Sequence, residues 1–292
     1  MKKVKKAVIP VAGLGTRLLP ATKTQPKEML PIVDKPAVQY VVEEAITSGI
    51  ESILFVTGRG KRAIEDYFDY SVELEQELEN RGKEELLDEI KKVGNLVPVY
   101  YVRQKSPRGL GDAVYQAREF VGEEPFALIL ADDIFVTPSP LLGEIMELYR
   151  QKPAIYLTVT PVPPQDVSSW GVIKGEKVGE ALYRVEDLVE KPEKDKAPSS
   201  LAIVGRYVLT PSIFEAIECT PPGRGGEIQL TDAIRALLGR EEVYALELRG
   251  KHFGVGDKVG YLKANIAFAL EREDIGEEIK TFLREILQED DR

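Results

Sequence analysis

The chain has 292 residues and a formal net charge of −10 at pH 7. This acidity disfavours a general nucleic-acid binder, because phosphate backbones are held by basic patches. The single Cys219 cannot form an intrachain disulfide, and no run of the sequence offers the spaced Cys and His ligands of a zinc site. A chain of this length buries about 75% of its unfolded surface, so its core needs neither kind of cross-link.

We expect a cytoplasmic protein without a signal peptide or a membrane span. The basic residues 1–6 precede an apolar run, 7–12, but Pro10 breaks that run and a glycine-rich turn follows it in place of a cleavage site. No stretch approaches the roughly 18 consecutive apolar residues that a spanning helix requires.

In the first half of the chain, short apolar runs alternate with longer helical patterns. This alternation is typical of βαβ units around a largely parallel sheet. The predicted strands are 7–12, 52–57, 98–102 and 126–130, and the predicted helices are 37–47, 61–68 and 111–120. Between them, the Glu-rich stretch 71–93 predicts one or two solvated helices lined by Leu74, Leu78, Leu86, Leu87 and Ile90.

After Pro153 the pattern changes to strands separated by Gly, Pro and charged turns, which indicates an antiparallel or mixed portion. The predicted strands are 155–162, 171–173, 181–189, 201–209 and 243–248. The predicted helices are 213–217 and 228–238, followed by a helical tail over 260–287.

A glycine-rich loop, Gly13-Leu14-Gly15-Thr16-Arg17, follows the first predicted strand. Two residues without a Cβ let backbone NH groups approach phosphate oxygens closely, and Arg17 adds a forked cationic donor. The loop lacks the Gly-Lys-Ser/Thr of a Walker A motif, and Leu18 stands where the dinucleotide fingerprint needs glycine. By itself, this pattern is also compatible with a tight turn of no function.

The continuation of the loop, residues 18–36, reads LLPATKTQPKEMLPIVDKP. Loop and continuation resemble the signature of the sugar-1-phosphate nucleotidyltransferases, and within them of the bacterial UTP–glucose-1-phosphate uridylyltransferases. The resemblance implies an α/β, Rossmann-like nucleotidyltransferase fold, with a mixed, mainly parallel central sheet flanked by helices and a helical C-terminal tail. It implies catalytic roles for Arg17 and Lys27, although Lys27 alone would be read as a surface lysine. The implied nucleotide contacts here are Ala12, Gly13, Leu14, Gly15, Thr16, Arg17 and Lys27.

Two further segments resemble the family around the base and the metal. Gln104 and the run Gly109-Leu110-Gly111-Asp112-Ala113 match the part that reads the base, Gln104 through its amide and Gly109 through close backbone approach. Asp132 matches the family's magnesium-binding Asp, which implies Mg²⁺ as cofactor. Asp132 and Asp133 follow the predicted strand 126–130, where α/β sheets place ligand contacts, although adjacent acids also occur in plain turns.

The sugar side of the pocket is implied by Trp170-Gly171-Val172 and Val189-Glu190-Lys191-Pro192. Glu190 would accept hydrogen bonds from sugar hydroxyls, and Lys191 would bind the sugar phosphate as a third catalytic group. Gly171, Val204 and Asp133 complete the expected sugar-phosphate contacts. Without the resemblance, residues 190–192 are a charged turn. Segments 202–207 and 226–234 also resemble the uridylyl branch of the family.

One position departs from the family pattern. Where relatives carry Asp-x-Gly, with the Asp as second metal ligand, this chain has Gly254-Val255-Gly256. Asp257 or water compensates in one interpretation, and Asp257 is simply the N-cap of the next helix in the other. The lone His252 is expected to be structural or exposed.

The resemblance implies that UTP and α-D-glucose 1-phosphate react by in-line displacement to give UDP-glucose and pyrophosphate. It implies a nucleotidyltransferase domain over residues 1–256, with a nucleotide half of about 1–150 and a sugar half of about 151–256, and a C-terminal helical segment, 257–292, for oligomer contact. We expect small-molecule partners, no nucleic acid, no membrane, and a homodimer or homotetramer. The alternatives are thymidylyl transfer to the same sugar phosphate and a regulatory subunit that has lost catalysis, which only Gly254 supports.

Overall fold

The computed structural model describes residues 2–290. The strands are β1 (Lys6–Pro10), β2 (Pro31–Ile32), β3 (Lys35–Pro36), β4 (Ser52–Thr57), β5 (Val99–Arg103), β6 (Phe126–Ile129), β7 (Asp133–Val136), β8 (Ile155–Pro161), β9 (Gly171–Lys177), β10 (Leu182–Glu190), β11 (Leu201–Leu209), β12 (Val243–Glu247) and β13 (Lys251–Gly254). The helices are α1 (Ala37–Thr47), α2 (Arg62–Tyr67), α3 (Val72–Asn80), α4 (Glu84–Gly94), α5 (Leu110–Tyr115), α6 (Arg118–Val121), α7 (Leu141–Gln151), α8 (Ser212–Cys219), α9 (Leu230–Leu237), α10 (Lys258–Leu270) and α11 (Gly276–Asp290).

Nine strands form one mixed sheet in the order β5-β4-β1-β6-β11-β8-β12-β10-β9. Pairing is parallel from β5 to β6 and again between β8 and β12, whereas β11 and β10 run antiparallel to their neighbours. The mixed sheet is therefore as predicted, with its continuous parallel part confined to the first half of the chain.

Hydrophobic layers cover both faces of this sheet. Along β1, Ala7 and Ile9 face the layer that includes α1 and α7, and Val8 faces the layer that includes α5, α8 and α9. This alternation follows from the two-residue period of a strand. All three side chains are fully buried, so β1 is a central strand that fixes the loop following it.

The order in which successive strands are added to the sheet reverses at β1. Strands β1, β4 and β5 follow one another to one edge, and β6 then returns to the other side of β1. In open α/β sheets, ligands bind outside the carboxyl ends of the strands at such a switch point. The glycine loop after β1 and Asp132 after β6 both lie there.

The structure divides or adds to several predicted elements. The predicted helix 111–120 is split into α5 and α6, and the tail 260–287 is split into α10 and α11 where the apolar stripe stops at Leu270. Strands β7 and β13, which pair with each other, and helix α7 were not predicted. Within residues 2–290, no helix is both long enough and apolar enough to cross a membrane.

Candidate active site

A cavity of about 490 Å³ opens at the carboxyl ends of β1 and β6. Most of the residues expected to contact the nucleotide line it together, namely Ala12, Gly13, Leu14, Gly15, Thr16, Lys27, Gln104 and Gly109, and Asp132 lines it as well. Glu28 and Glu227 also line this cavity and were not predicted. The sequence motifs therefore converge on one space although Ala12 and Asp132 lie 120 residues apart.

The glycine loop is closed tightly over the residues that follow it. Gly15 has a φ of 67°, in the left-handed region, and a Cβ there would lie 3.2 Å from Thr22 and 3.3 Å from Lys27. The Thr22 hydroxyl donates to the Gly15 carbonyl oxygen at 2.8 Å. A side chain at position 15 would be strained in backbone and crowded in space, so glycine is required there.

Opposite charges meet at the floor of the cavity. Lys27 Nζ donates to Asp132 Oδ2 at 2.5 Å. A Cβ built on Gly256 would lie 2.7 Å from Asp132 Oδ2 and 2.9 Å from an Arg17 Nη2 atom, so Arg17 and Asp132 flank the same point. The structure thus brings Arg17, Lys27 and Asp132 together, although Arg17 is not among the residues that line the cavity.

This ion pair keeps both partners charged. Burial alone would lower the pKa of Lys27, but the charges of Asp132 and Glu28 raise that pKa above the usual lysine value. Burial likewise would raise the pKa of Asp132, yet Lys27, with help from Arg17, holds it below the usual carboxyl value. A cationic group and a carboxylate are therefore both available to a triphosphate at neutral pH.

The protein groups around Asp132 fit a magnesium ion that is shared with substrate. Within residues 2–290, no cluster of three or more His, Cys, Asp or Glu side chains has metal-binding geometry. Magnesium in phosphate-transfer sites is commonly held by one or two carboxylates plus substrate phosphates and water, and Asp132 supplies one carboxylate. Asp257 Oδ1 accepts from the Val259 and Gly260 amides at 3.0 Å each, which confirms Asp257 as the N-cap of α10.

Gln104 lies directly after β5 on the other side of the cavity. Its backbone NH donates to the Thr57 carbonyl oxygen at 2.8 Å, and its side-chain Nε2 donates to Asp112 Oδ2 at 2.7 Å and to the Gly109 oxygen at 3.2 Å. Gly109 has a φ of 101°, and a Cβ there would lie 2.7 Å from the Ile228 carbonyl oxygen. Only glycine fits at this position.

The predicted sugar-side residues Gly171, Glu190 and Lys191 form a second cluster at the ends of β9 and β10. Lys191 Nζ lies 3.2 Å from Glu190 Oε1, and Thr231 donates to Glu190 Oε2 at 2.7 Å. A Cβ on Gly171 would lie 2.9 Å from the Thr231 hydroxyl and 3.1 Å from Glu190 Oε2. These residues are not among those lining the cavity at the glycine loop.

Two of the predicted sugar-phosphate contacts, Asp133 and Val204, are buried. Asp133 Oδ1 lies 2.6 Å from His252 Nε2. A Cβ at position 205 would lie only 2.6 Å from the Cβ of Asp133, so Gly205 leaves the space that Asp133 occupies. Val204 is fully buried in a bulge of β11. His252 is a structural partner of Asp133, which confirms one of the two readings given for it above.

Asp112 and Arg108 were not predicted as site residues. Arg108 Nη2 donates to Asp112 Oδ1 at 2.7 Å, and Asp112 in turn accepts from Gln104. The signal in the sequence was the i, i+4 spacing of opposite charges at the start of a helix. That spacing usually indicates a solvated pair, and the buried position of Asp112 becomes visible only in the fold.

Comparison with known proteins agrees with this geometry. The nucleotidyl transferase family matches residues 6–271. A UTP–glucose-1-phosphate uridylyltransferase of Bacillus subtilis is 49% identical over 291 residues, covering 100% of both chains. One from Streptococcus pyogenes is 50% identical over 288 residues, covering 97% of this chain and 94% of the relative.

Two solved structures are similar over nearly the whole chain. A UDP-glucose pyrophosphorylase complexed with UDP-glucose has a TM-score of 0.85 and 44% identity, and covers 92% of this chain and 100% of its own. A UTP-bound enzyme from Acinetobacter baumannii has a TM-score of 0.89 and 42% identity, with 97% and 99% covered. The chain belongs to the nucleotidyl transferase family, in its group of UTP–glucose-1-phosphate uridylyltransferases.

Proposed function

We propose that this chain makes UDP-glucose and pyrophosphate from UTP and α-D-glucose 1-phosphate. The observation that carries the proposal is that Lys27, Asp132 and Gln104 line one cavity together with the glycine loop, and that Arg17 lies beside Asp132. The relatives named for this activity match along the full chain, and solved relatives carry UDP-glucose or UTP.

The reaction is an in-line displacement. A phosphate oxygen of glucose 1-phosphate attacks the α-phosphorus of UTP. The bond between the α-phosphorus and the oxygen that bridges it to the β-phosphorus breaks, and pyrophosphate leaves. Phosphate oxygens are already ionised at neutral pH, so positioning and charge neutralisation replace a general base. In this proposal Arg17 and Lys27 hold the triphosphate, Lys191 holds the sugar phosphate, and Glu190 accepts hydrogen bonds from sugar hydroxyls.

Asp132 is the residue that would hold magnesium, together with substrate phosphate oxygens. When bound, the ion supplies neutralisation of the phosphate charge. Lys27 Nζ donates to Asp132 Oδ2 at 2.5 Å, so Lys27 balances the charge of this carboxylate beside the proposed triphosphate site.

The remaining expectations are proposals about organisation. The nucleotide half, about 1–150, carries the glycine loop, Gln104 and Asp132, and the half from about 151 to 256 carries Glu190 and Lys191. Helices α10 and α11 form the proposed contact of a homodimer or homotetramer. A cytoplasmic location suits the nucleotide substrate and the single cysteine.

The experiment is a pyrophosphate-release assay with glucose 1-phosphate and either UTP or dTTP, with Mg²⁺ and with excess EDTA. We expect magnesium-dependent turnover with UTP and much slower turnover with dTTP. Preference for dTTP would favour thymidylyl transfer instead. UDP-glucose binding without turnover would favour the regulatory subunit, the alternative that Gly254 supports.

A further inference from the structure

We propose that the Asp112 carboxylate sets which end of the Gln104 amide meets the nucleotide base, and so selects uracil over cytosine. The inference rests on the proposed function, since it assumes that the base of UTP lies against Gln104. Asp112 is a positioning residue in this proposal, because it acts through Gln104.

The hydrogen bonds around Asp112 leave the Gln104 amide one orientation. Asp112 is buried, and its carboxylate only accepts hydrogen bonds. Its Oδ2 lies 2.7 Å from Gln104 Nε2, so the NH₂ end of the amide must face it. The second hydrogen of Nε2 is directed to the Gly109 carbonyl oxygen at 3.2 Å. Both donors of the amide are therefore used within the protein.

The carbonyl end of Gln104 is left for the ligand. Gln104 lines the cavity, and no residue within the described range 2–290 donates to its Oε1. Every fully buried side-chain nitrogen or oxygen described has a hydrogen-bond partner, so Oε1 is open to the cavity. Towards the base, Gln104 thus acts as a hydrogen-bond acceptor.

Uracil and cytosine differ at N3, the ring atom that could donate a hydrogen bond to Gln104 Oε1. Uracil N3 carries a hydrogen, and cytosine N3 carries a lone pair. Gln104 Oε1 attracts the first and repels the second, and a buried polar mismatch of this kind discriminates strongly. Thymine shares the N3 hydrogen, so this device excludes CTP and leaves the choice between UTP and dTTP to other contacts.

The decisive variant is Asp112→Asn, which keeps the size of the side chain. Arg108 Nη2 donates to Oδ1 of residue 112 at 2.7 Å, so the asparagine oxygen will turn towards Arg108 and its NH₂ will face Gln104. The Gln104 amide then reverses towards the asparagine NH₂, gives up its 3.2 Å hydrogen bond to the Gly109 oxygen, and presents Nε2 to the base. We expect the ratio of kcat/KM for UTP to that for CTP to fall about tenfold or more, through KM, since one hydrogen bond is worth about that factor.

Arg108 provides the matched controls. Arg108→Ala leaves the Asp112 carboxylate accepting from Gln104, so the UTP-to-CTP ratio should be unchanged. In the double variant Arg108→Ala with Asp112→Asn, nothing holds the asparagine oxygen away, so the amide can return to its first orientation and the ratio should recover. A purely structural role of Asp112 would lower the melting temperature and weaken both nucleotides equally.

Dissociation constants for UTP and CTP, measured by calorimetry beside the turnover assay, separate this inference from the proposed function. A wild-type protein that prefers UTP in binding but makes no UDP-glucose contradicts the function and leaves the selectivity test intact. Equal losses for UTP and CTP in Asp112→Asn, or no recovery in the double variant, overturn the inference. If Asp112→Asn fails to fold, Gln104→Leu tests the same contact, and an unchanged ratio there also overturns it.

Discussion

Lys191 is the residue whose proposed role is most open to a direct test. Its φ of 45° lies in the left-handed region, which is uncommon for a residue with a side chain and is found preferentially at functional sites. We expect Lys191→Ala to lower kcat by about 100- to 1000-fold, as loss of a single electrostatic donor does. Lys194→Ala, an exposed lysine of the same turn, is the control. A loss of about threefold or less for Lys191→Ala would remove it from the mechanism.

Gly254 tests how much the missing carboxylate matters. Position 254 pairs with Asp133, and a Cβ there would have His252 Cε1 as its nearest neighbour, at 3.9 Å, so the Cβ of an aspartate has room. We expect Gly254→Asp to lower the Mg²⁺ concentration for half-maximal turnover and to tighten Mn²⁺ binding measured by electron paramagnetic resonance.

Gly256 is the matched control for this variant. A Cβ at position 256 would lie 2.7 Å from Asp132 Oδ2, so Gly256→Asp should disrupt the site rather than add to it. If Gly254→Asp leaves Mn²⁺ affinity unchanged, the second carboxylate has no role in this chain.

Single residues also show where sequence reasoning stops. Lys27 and Asp132 are 105 positions apart in the sequence, yet their side chains lie 2.5 Å apart. An isolated lysine gives no indication that it lies at a site; only the motif around Lys27 predicts that it shares a site with Asp132. The pairing of Asp133 with His252 depends on strands β7 and β13. Each of these strands has four residues and begins with a charged one, so neither shows an unbroken apolar run like the one that predicts β6.

Among the elements, those with strong local signals were predicted well. Helix α1 has the predicted bounds, with its apolar spacing and the glycine at position 49, and the buried strands β4 and β11 have theirs. The end of β9 was missed by four residues, because the exposed segment 174–177 becomes a strand by pairing with β10. Helix α7 was not predicted, although its buried residues Leu141, Leu142, Ile145 and Tyr149 have helical spacing.

The bulge in β11 is stabilised from helix α1 through a buried ion pair. Arg206, which is 1% exposed, donates through Nη2 to Glu44 Oε2 at 2.6 Å and through Nη1 to the Leu130 carbonyl oxygen at 3.2 Å. Removing one partner of such a pair leaves a buried charge uncompensated. We expect Glu44→Ala to cost about 3 kcal/mol of unfolding free energy, or about 5 °C in melting temperature for a chain of this length.

Calorimetry of a second variant checks that this loss comes from burial. Glu147 forms an exposed pair with Arg150 on α7, and surface pairs contribute little, so Glu147→Ala should leave the melting temperature unchanged. Equal effects of Glu44→Ala and Glu147→Ala would mean that the Arg206 pair does not support the bulge.

At the scale of the whole molecule, this acidic protein has two cationic side chains close together at one edge of its sheet. The net charge is −10, yet Arg17 and Lys27 meet where the strand order reverses, and Asp132 balances them. A negative net charge therefore disfavours nucleic-acid binding, but it does not prevent a triphosphate from binding beside these two side chains. The location of the site follows from strand order, which is seen only in the structure. The alternation of elements predicts parallel βαβ units for the first half of the chain but not their order in the sheet.

The surface of α10 and α11 carries the prediction about assembly. The exposed fractions of Val259, Leu262, Ile266 and Leu270 are 62%, 59%, 41% and 40%, and their spacing of three or four residues puts them on one face of α10. Phe282, Ile286 and Leu287 are similarly exposed on α11. Apolar patches of this kind are typical of protein contacts, and most oligomers are symmetric.

In a symmetric contact, a new charge on this face is introduced in every copy. We therefore expect Leu262→Glu to reduce the mass in light scattering to the 32.5 kDa of one chain, whereas the wild type should show a multiple of that mass. Leu74→Glu, at an exposed apolar position of α3, should leave the assembly unchanged. A wild type that is monomeric at micromolar concentration would show that α10 and α11 do not form the contact, and the apolar face would then need another partner.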